Sequence, residues 1–178
     1  MIRGAPTGRL APVNALRHLA GLVRRTLLGL APGLARPDDT FALGWLEARE
    51  ADVYRAMDAR DRDHACRVAR RLLARHPDAE PRTVRAALLH DVGKSERPYR
   101  VWERVLVHVW TPDPATAGRL PAGLRGAWRV HAEHAGLGAG RLRALGVDDR
   151  VVELVARHHE PPAGDEELRR LAAADEAT

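Results

Sequence analysis

The chain has 178 residues, which suits one domain with a buried core, and its composition excludes several classes of protein. Apolar residues make up 45% and charged residues 30%, yet no apolar run reaches the length of a membrane span, and the single cysteine, Cys66, excludes an intrachain disulfide. Aromatic residues are only 4%, while Ala and Leu are abundant, and this favours helix over strand. Because Arg and Pro interrupt the first residues, we expect no signal peptide and a cytoplasmic location.

The net charge of +5 comes from an N-terminal arm, residues 1–37, which holds six arginines and no acidic residue. The rest of the chain has 23 basic and 24 acidic residues and is therefore nearly neutral. A domain that binds nucleic acid is expected to carry a basic face of its own. Nucleic acid is therefore not an expected partner of residues 38–178, and contact through the arm is a separate alternative. Apolar residues among the arginines predict an amphipathic helix over 12–30. Such a helix can bind a membrane surface, contact a partner protein or pack on its own domain.

From residue 38 onward the apolar periodicity predicts helices joined by turns, with no alternating strand pattern. The first helices are expected over about 41–58, from Asp61 or Asp63 to Arg75, and from Pro81 into His90-Asp91. Later helices are expected over about 100–110, 122–134 and 138–145, from Asp148 or Asp149 to His158, and from Asp165 onward. A Pro- and Gly-rich loop is predicted over 111–121, and a loosened stretch around Gly136, Gly138 and Gly140. The predicted fold class is all-α.

Several of these helices begin or end with a His or Asp on the face that points to the core. A single inward histidine is more often an ordinary hydrogen-bonded core residue, but a buried carboxylate is costly unless it is paired or bound to a metal. Imidazoles and carboxylates on separate helices are how a helical bundle builds a metal site. The combination predicts a site for a divalent transition metal, with the candidates His64, His90, Asp91, His158 or His159, and Asp175, and with His131 and His134 offered by a further helix.

Lys94 is the only lysine among the 29 basic residues, and it lies three residues after Asp91. An ammonium is a compact point charge, whereas a guanidinium is a planar fork. We infer that this position needs a point charge. We expect Lys94 on the same helix as Asp91, three residues further along and on the same side.

These residues, in this order, resemble the signature of the HD-domain superfamily of metal-dependent phosphohydrolases, and of its HDIG-like branch in particular. The signature is a His, a His-Asp pair and a distant Asp, here His64, His90-Asp91 and Asp175. The binuclear branch adds two intermediate histidines, which His134 and His158 resemble, with His159 as a further candidate. The resemblance covers about residues 55–178. No Gly-Tyr-Pro follows His158-His159-Glu160, which argues against the branch that cleaves cyclic di-GMP.

The resemblance implies a helical HD-domain bundle over residues 38–178 with an N-terminal helical extension. It implies one or two divalent ions, iron or manganese above all, with Asp91 as the bridge and with His64, His90, His134, His158 and Asp175 as the other ligands. Water activated by the metal would hydrolyse a nucleotide or other phosphate ester, with Asp91 and Lys94 as catalytic residues. The alternative is a non-catalytic module that binds a metal or nucleotide for signalling and uses its basic arm to contact a membrane or partner.

Overall fold

The structure is a computed structural model that describes residues 35–97, 100, 103, 106, 107, 110, 112 and 114–178. Within these residues the chain forms eight α-helices with described bounds, one 3-10 helix (Val92–Glu96) and no strand, so the prediction of an all-α fold is confirmed. The α-helices are α1 (Asp39–Leu43), α2 (Ala48–Arg55), α3 (Ala59–Arg75), α4 (Pro81–Leu89), α5 (Pro114–Arg119), α6 (Ala122–Ala144), α7 (Asp149–Arg157) and α8 (Glu166–Glu176). None of these described helices is long and apolar enough to cross a membrane.

One continuous apolar core joins α1, α2, α3, α4, α6, α7 and α8. Each of these helices buries the apolar stripe that its sequence predicts, and the core includes Leu72 of α3, Leu88 of α4, Leu142 of α6, Leu154 of α7 and Leu171 of α8. The two short helices α1 and α2 share the same core through Ala42, Val53 and Tyr54, and Met57, just after α2, joins them. Burial of this apolar surface is the main term that stabilises the fold.

The N-terminal ends of α4, α7 and α8 are held together by one charged network. Arg150 of α7 donates hydrogen bonds to Asp165 (2.6 Å) and to Glu167 (2.8 Å), at the start of α8. The other carboxylate oxygen of Glu167 accepts hydrogen bonds from Arg82 (2.9 Å) and Thr83 (2.8 Å) in the first turn of α4. The three helices therefore run in the same direction, and their C-terminal ends lie together at the opposite end of the domain. Those ends carry His90-Asp91, His158-His159 and Asp175, while the other predicted site residues lie on α3, α6 and the 3-10 helix.

Two predicted helix boundaries are wrong for identifiable reasons. The helix expected over 41–58 is two helices, because Glu47 and Glu50 form a reciprocal capping box that starts α2 after a break at 44–47. The helices expected over 122–134 and 138–145 are the single helix α6. A glycine inside a helix costs only about 1 kcal/mol relative to alanine, and packing of α6 on its neighbours outweighs this cost.

Other sequence predictions fall partly or wholly outside the described residues. The loop expected over 111–121 contains the short helix α5. The helix expected over 100–110 is described at only a few positions, of which 103, 106 and 107 are helical. The amphipathic helix over 12–30 lies outside the described residues.

Candidate metal centre

A first group of ligand atoms is formed by side chains from three different helices. His64 lies in the second turn of α3, His90 directly follows α4, and Asp175 lies in the last turn of α8. The His64 Nε2 atom is 2.9 Å from Asp175 Oδ1, and His90 Nε2 is 3.7 Å from the same oxygen. One ligand atom from each of the three lies within 4.8 Å of the others, which is close enough to share one cation.

A second group consists of three histidines. His134 lies in the middle of α6, and His158 and His159 follow the end of α7. The His134 and His159 Nε2 atoms are 3.1 Å apart, and the ring centroids of His134 and His158 are 5.3 Å apart. These three histidines also offer one atom each within 4.8 Å of one another. Sequence reasoning treated His158 and His159 as alternatives, whereas the structure brings both rings to the same group.

Asp91 lies between the two groups and faces each with a different oxygen. Its Oδ2 atom is 3.5 Å from His90 Nε2, and its Oδ1 atom is 3.4 Å from His134 Nε2. The side chain is buried, with 2% of its surface exposed. The groups also meet directly, because the ring centroids of His90 and His158 are 5.1 Å apart. One carboxylate can thus contribute to both groups at once.

Backbone carbonyls fix the orientation of three of the histidines. The Nδ1–H groups of His90, His134 and His158 donate to the carbonyl three residues earlier, at 2.9, 2.8 and 2.8 Å. This arrangement leaves each Nε2 without a proton and directed at the site, as in histidines that bind metals. The Nε2 atoms of His90 and His158 are buried and have no hydrogen-bond partner among the described residues. A buried acceptor of this kind is costly unless a cation or a donor completes it, so the residues fit a divalent metal.

Burial and charge keep these groups in the protonation states that metal binding requires. Burial lowers the pKa of His134 to about 4 and that of His158 to about 3, and it also lowers the pKa of His64 and of His159. Burial alone would raise the pKa of Asp91, but the positive charge of Lys94 holds it well below its usual range. His64, His134, His158 and His159 are therefore neutral and the Asp91 carboxylate is ionised at pH 7.

Lys94 lies at the site, but on a different element from the one expected. The α-helix α4 ends before His90, and Lys94 belongs to the 3-10 helix that follows Asp91. Its ammonium is 2.7 Å from Asp91 Oδ2, and its backbone N–H donates to the Asp91 carbonyl at 2.9 Å. The tighter 3-10 turn brings the side chain back onto the carboxylate.

His131 belongs to neither group of ligand atoms in the described part of the chain. Its ring centroid is 6.4 Å from that of His134. Its backbone carbonyl accepts the Nδ1–H bond of His134 and thereby orients that ring. The structure thus places His131 beside the candidate site, where its backbone carbonyl supports a ligand atom.

The fold and the site together define an all-α domain with two adjoining groups of His and Asp ligand atoms around one shared carboxylate. A family model for the HD domain matches residues 62–178, which span every residue of both groups, and the chain belongs to this family. HD domains form a superfamily that is typical of metal-dependent phosphohydrolases. No curated protein and no solved structure matches the chain significantly.

Proposed function

We propose that this HD domain is a metal-dependent phosphohydrolase that acts on a nucleotide or another phosphate ester. The observation that carries the proposal is the position of Asp91, whose two oxygens face two separate groups of three ligand atoms. A buried carboxylate in that position is the bridge that a two-metal site needs. Ordinary core packing gives no reason to gather five histidines and two aspartates from separate elements around one point.

The ligand sets differ between the two proposed metal positions. The first would use His64, His90 and Asp175 with one oxygen of Asp91, and is therefore balanced between nitrogen and oxygen. The second would use His134, His158 and His159 with the other oxygen of Asp91, and is rich in nitrogen. Mixed imidazole and carboxylate sets suit iron, manganese and other transition ions better than calcium. Iron and manganese are the ions we propose first.

When bound, divalent ions lower the pKa of a coordinated water towards neutrality and offset the charge of a phosphoryl group. The side chains of this chain hold that arrangement together: the carbonyl-bonded histidines keep their Nε2 atoms directed inward, and Asp91 keeps the two positions adjacent. Lys94 adds a positive charge at the edge of the site, where 19% of its side chain is exposed. From Asp91 Oδ2 its ammonium can turn to a non-bridging phosphate oxygen of the substrate.

The test combines metal analysis with a hydrolysis screen. We expect purified protein loaded with manganese or iron to bind two ions per chain and to hydrolyse at least one member of a panel of nucleotides and model phosphate esters. Asp91→Ala should lose both the bound metal and the activity. Asp52→Ala is the matched control, because Asp52 is an aspartate of α2 whose side chain is 80% exposed, and it should behave as the wild type.

Two results would decide against the proposal. A protein that binds fewer than two ions per chain at saturating metal does not have the proposed two-metal centre. A protein that binds metal but hydrolyses nothing on a broad panel would instead be a non-catalytic binding module. The basic arm, residues 1–37, is proposed as a contact for a membrane surface or partner protein, and deleting it should leave metal binding unchanged.

A further inference from the structure

The backbones of the 3-10 helix and α6 approach each other closely beside the site. A Cβ atom added at Gly93 would lie 2.0 Å from the carbonyl oxygen of His134 and 2.7 Å from the backbone nitrogen of Gly138. A Cβ atom added at Gly138 would lie 3.0 Å from the Gly93 nitrogen and 3.0 Å from Val92 Cγ1. Both glycines are buried and neither has a positive φ, so the close approach explains the need for glycine better than backbone conformation does.

This contact connects the segment that carries Asp91 to the helix that carries His134. Gly93 is two residues after Asp91, in the 3-10 helix whose first turn is closed by the hydrogen bond from Lys94 to the Asp91 carbonyl. Gly138 is one helical turn after His134 in α6, and the atom that Gly93 faces is the carbonyl oxygen of His134 itself. The His134 ring is fixed to α6 by its bond to the His131 carbonyl, so a movement of α6 carries the ring with it.

We propose that Gly93 and Gly138 are positioning residues that set the distance between Asp91 and the second group of ligands. Their missing side chains let α6 approach until His134 Nε2 is 3.4 Å from Asp91 Oδ1. The first group depends on α3, α4 and α8, and none of its three residues lies on α6. The inference rests on the proposed two-metal function and adds that the second metal position exists only while this contact stays closed.

Four glycines at or beside this contact allow a graded series of alanine substitutions. Gly136 and Gly140, on α6 to either side of Gly138, face open space, so an added Cβ atom meets nothing within 4 Å. Gly138→Ala requires its neighbours to give way by a few tenths of an ångström, since its nearest contacts are at 3.0 Å. Gly93→Ala requires a much larger opening, on the order of 1 Å, because backbone atoms cannot yield as a flexible side chain does.

The experiment is a manganese titration of the metal-stripped full chain and of these variants. Calorimetry measures the two affinities, and electron paramagnetic resonance monitors the bound ions. Two manganese ions that share a carboxylate couple magnetically, so the resonance spectrum distinguishes a pair from isolated ions. We expect Gly136→Ala and Gly140→Ala to bind two ions as the wild type does. Gly138→Ala should keep its first ion and bind the second more weakly by about 10- to 100-fold, the usual range for loss of a supporting contact. Gly93→Ala should show no coupled pair.

The outcomes separate the inference from the proposed function. If the wild type itself fails to bind two ions, the two-metal function fails. If the wild type binds a coupled pair and Gly138→Ala binds it with the same two affinities as Gly136→Ala, the positioning role alone is wrong. Equal weakening of both ions in Gly138→Ala would also overturn it, because a general loss of packing does not select one position. If circular dichroism shows that Gly93→Ala does not fold, the comparison of Gly138→Ala with Gly136→Ala still tests the positioning role.

Discussion

Replacing Arg85 of α4 by leucine should destabilise the domain strongly through a single buried carboxylate. The Arg85 guanidinium donates to both oxygens of Glu50 at distances of 2.6 to 3.1 Å, and the Glu50 side chain is 0% exposed. Removing one partner of a buried ion pair costs about 3–5 kcal/mol, because the remaining charge is left without compensation. Since 13% of the Arg85 side chain is exposed, some water can reach the pair, and we expect about 3 kcal/mol, at the lower end of that range.

The assay is urea denaturation, with the free energy of unfolding compared among four proteins. Glu50→Leu combined with Arg85→Leu should cost less than Arg85→Leu alone, because no buried unpaired charge remains and the accompanying loss of the Glu50 contact to the Glu47 N–H costs only about 1 kcal/mol. Arg55→Leu is the matched control on α2: its salt bridge with Asp52 is 3.1 Å long but 56% and 80% exposed, so the loss should stay below about 1 kcal/mol. If Arg85→Leu costs no more than Arg55→Leu, the reasoning about α2 and α4 is refuted.

The remaining predictions concern the site and the acid limit of stability. Asp175→Asn should weaken the first metal position in a calorimetric titration while a second ion still binds, and retention of both affinities would count against the assigned ligand set. His159→Ala should do the reverse, weakening the second position by about 10-fold or more, and an unchanged titration would remove His159 from the set. Hydrogen bonds from Arg150 hold the pKa of Asp165 and of Glu153 below their ordinary values of 3.8 and 4.5. The stabilisation by these two carboxylates is therefore present above their ordinary pKa values and is lost as the pH falls through the lowered pKa values. Arg150→Gln should have a lower free energy of unfolding in urea than the wild type at pH 7, and this difference should shrink at pH 3. An equal difference at both pH values would contradict the linkage.

The residues on apolar stripes were predictable because helical spacing alone decides where they point. Asp175 lies four residues after Leu171, and the structure confirms a helix there with Leu171 buried and Asp175 directed at His64. The His90-Asp91 pair, at the end of the apolar run of α4, is buried at the site for the same reason. In each case a local pattern determined the side-chain direction, and the resemblance to a known family supplied the order of the residues.

The features that the sequence did not reveal depend on contacts between distant segments. From the local sequence, Gly138 is only a residue that weakens a helix. The close approach of Gly93, which the sequence does not reveal, shows why a side chain at position 138 would not fit. The start of α2 was missed because glutamate is not among the preferred N-cap residues, and the capping box between Glu47 and Glu50 is visible only in the folded backbone. The inclusion of His159 with His158 follows from the turn after Arg157, which periodicity does not describe.

The central claim is tested most directly by anomalous diffraction from crystals of the full chain loaded with manganese. We expect two anomalous peaks on opposite sides of the Asp91 carboxylate. One should lie among His64, His90 and Asp175, and the other among His134, His158 and His159. Peaks away from these side chains, or no peak at saturating metal, would contradict it.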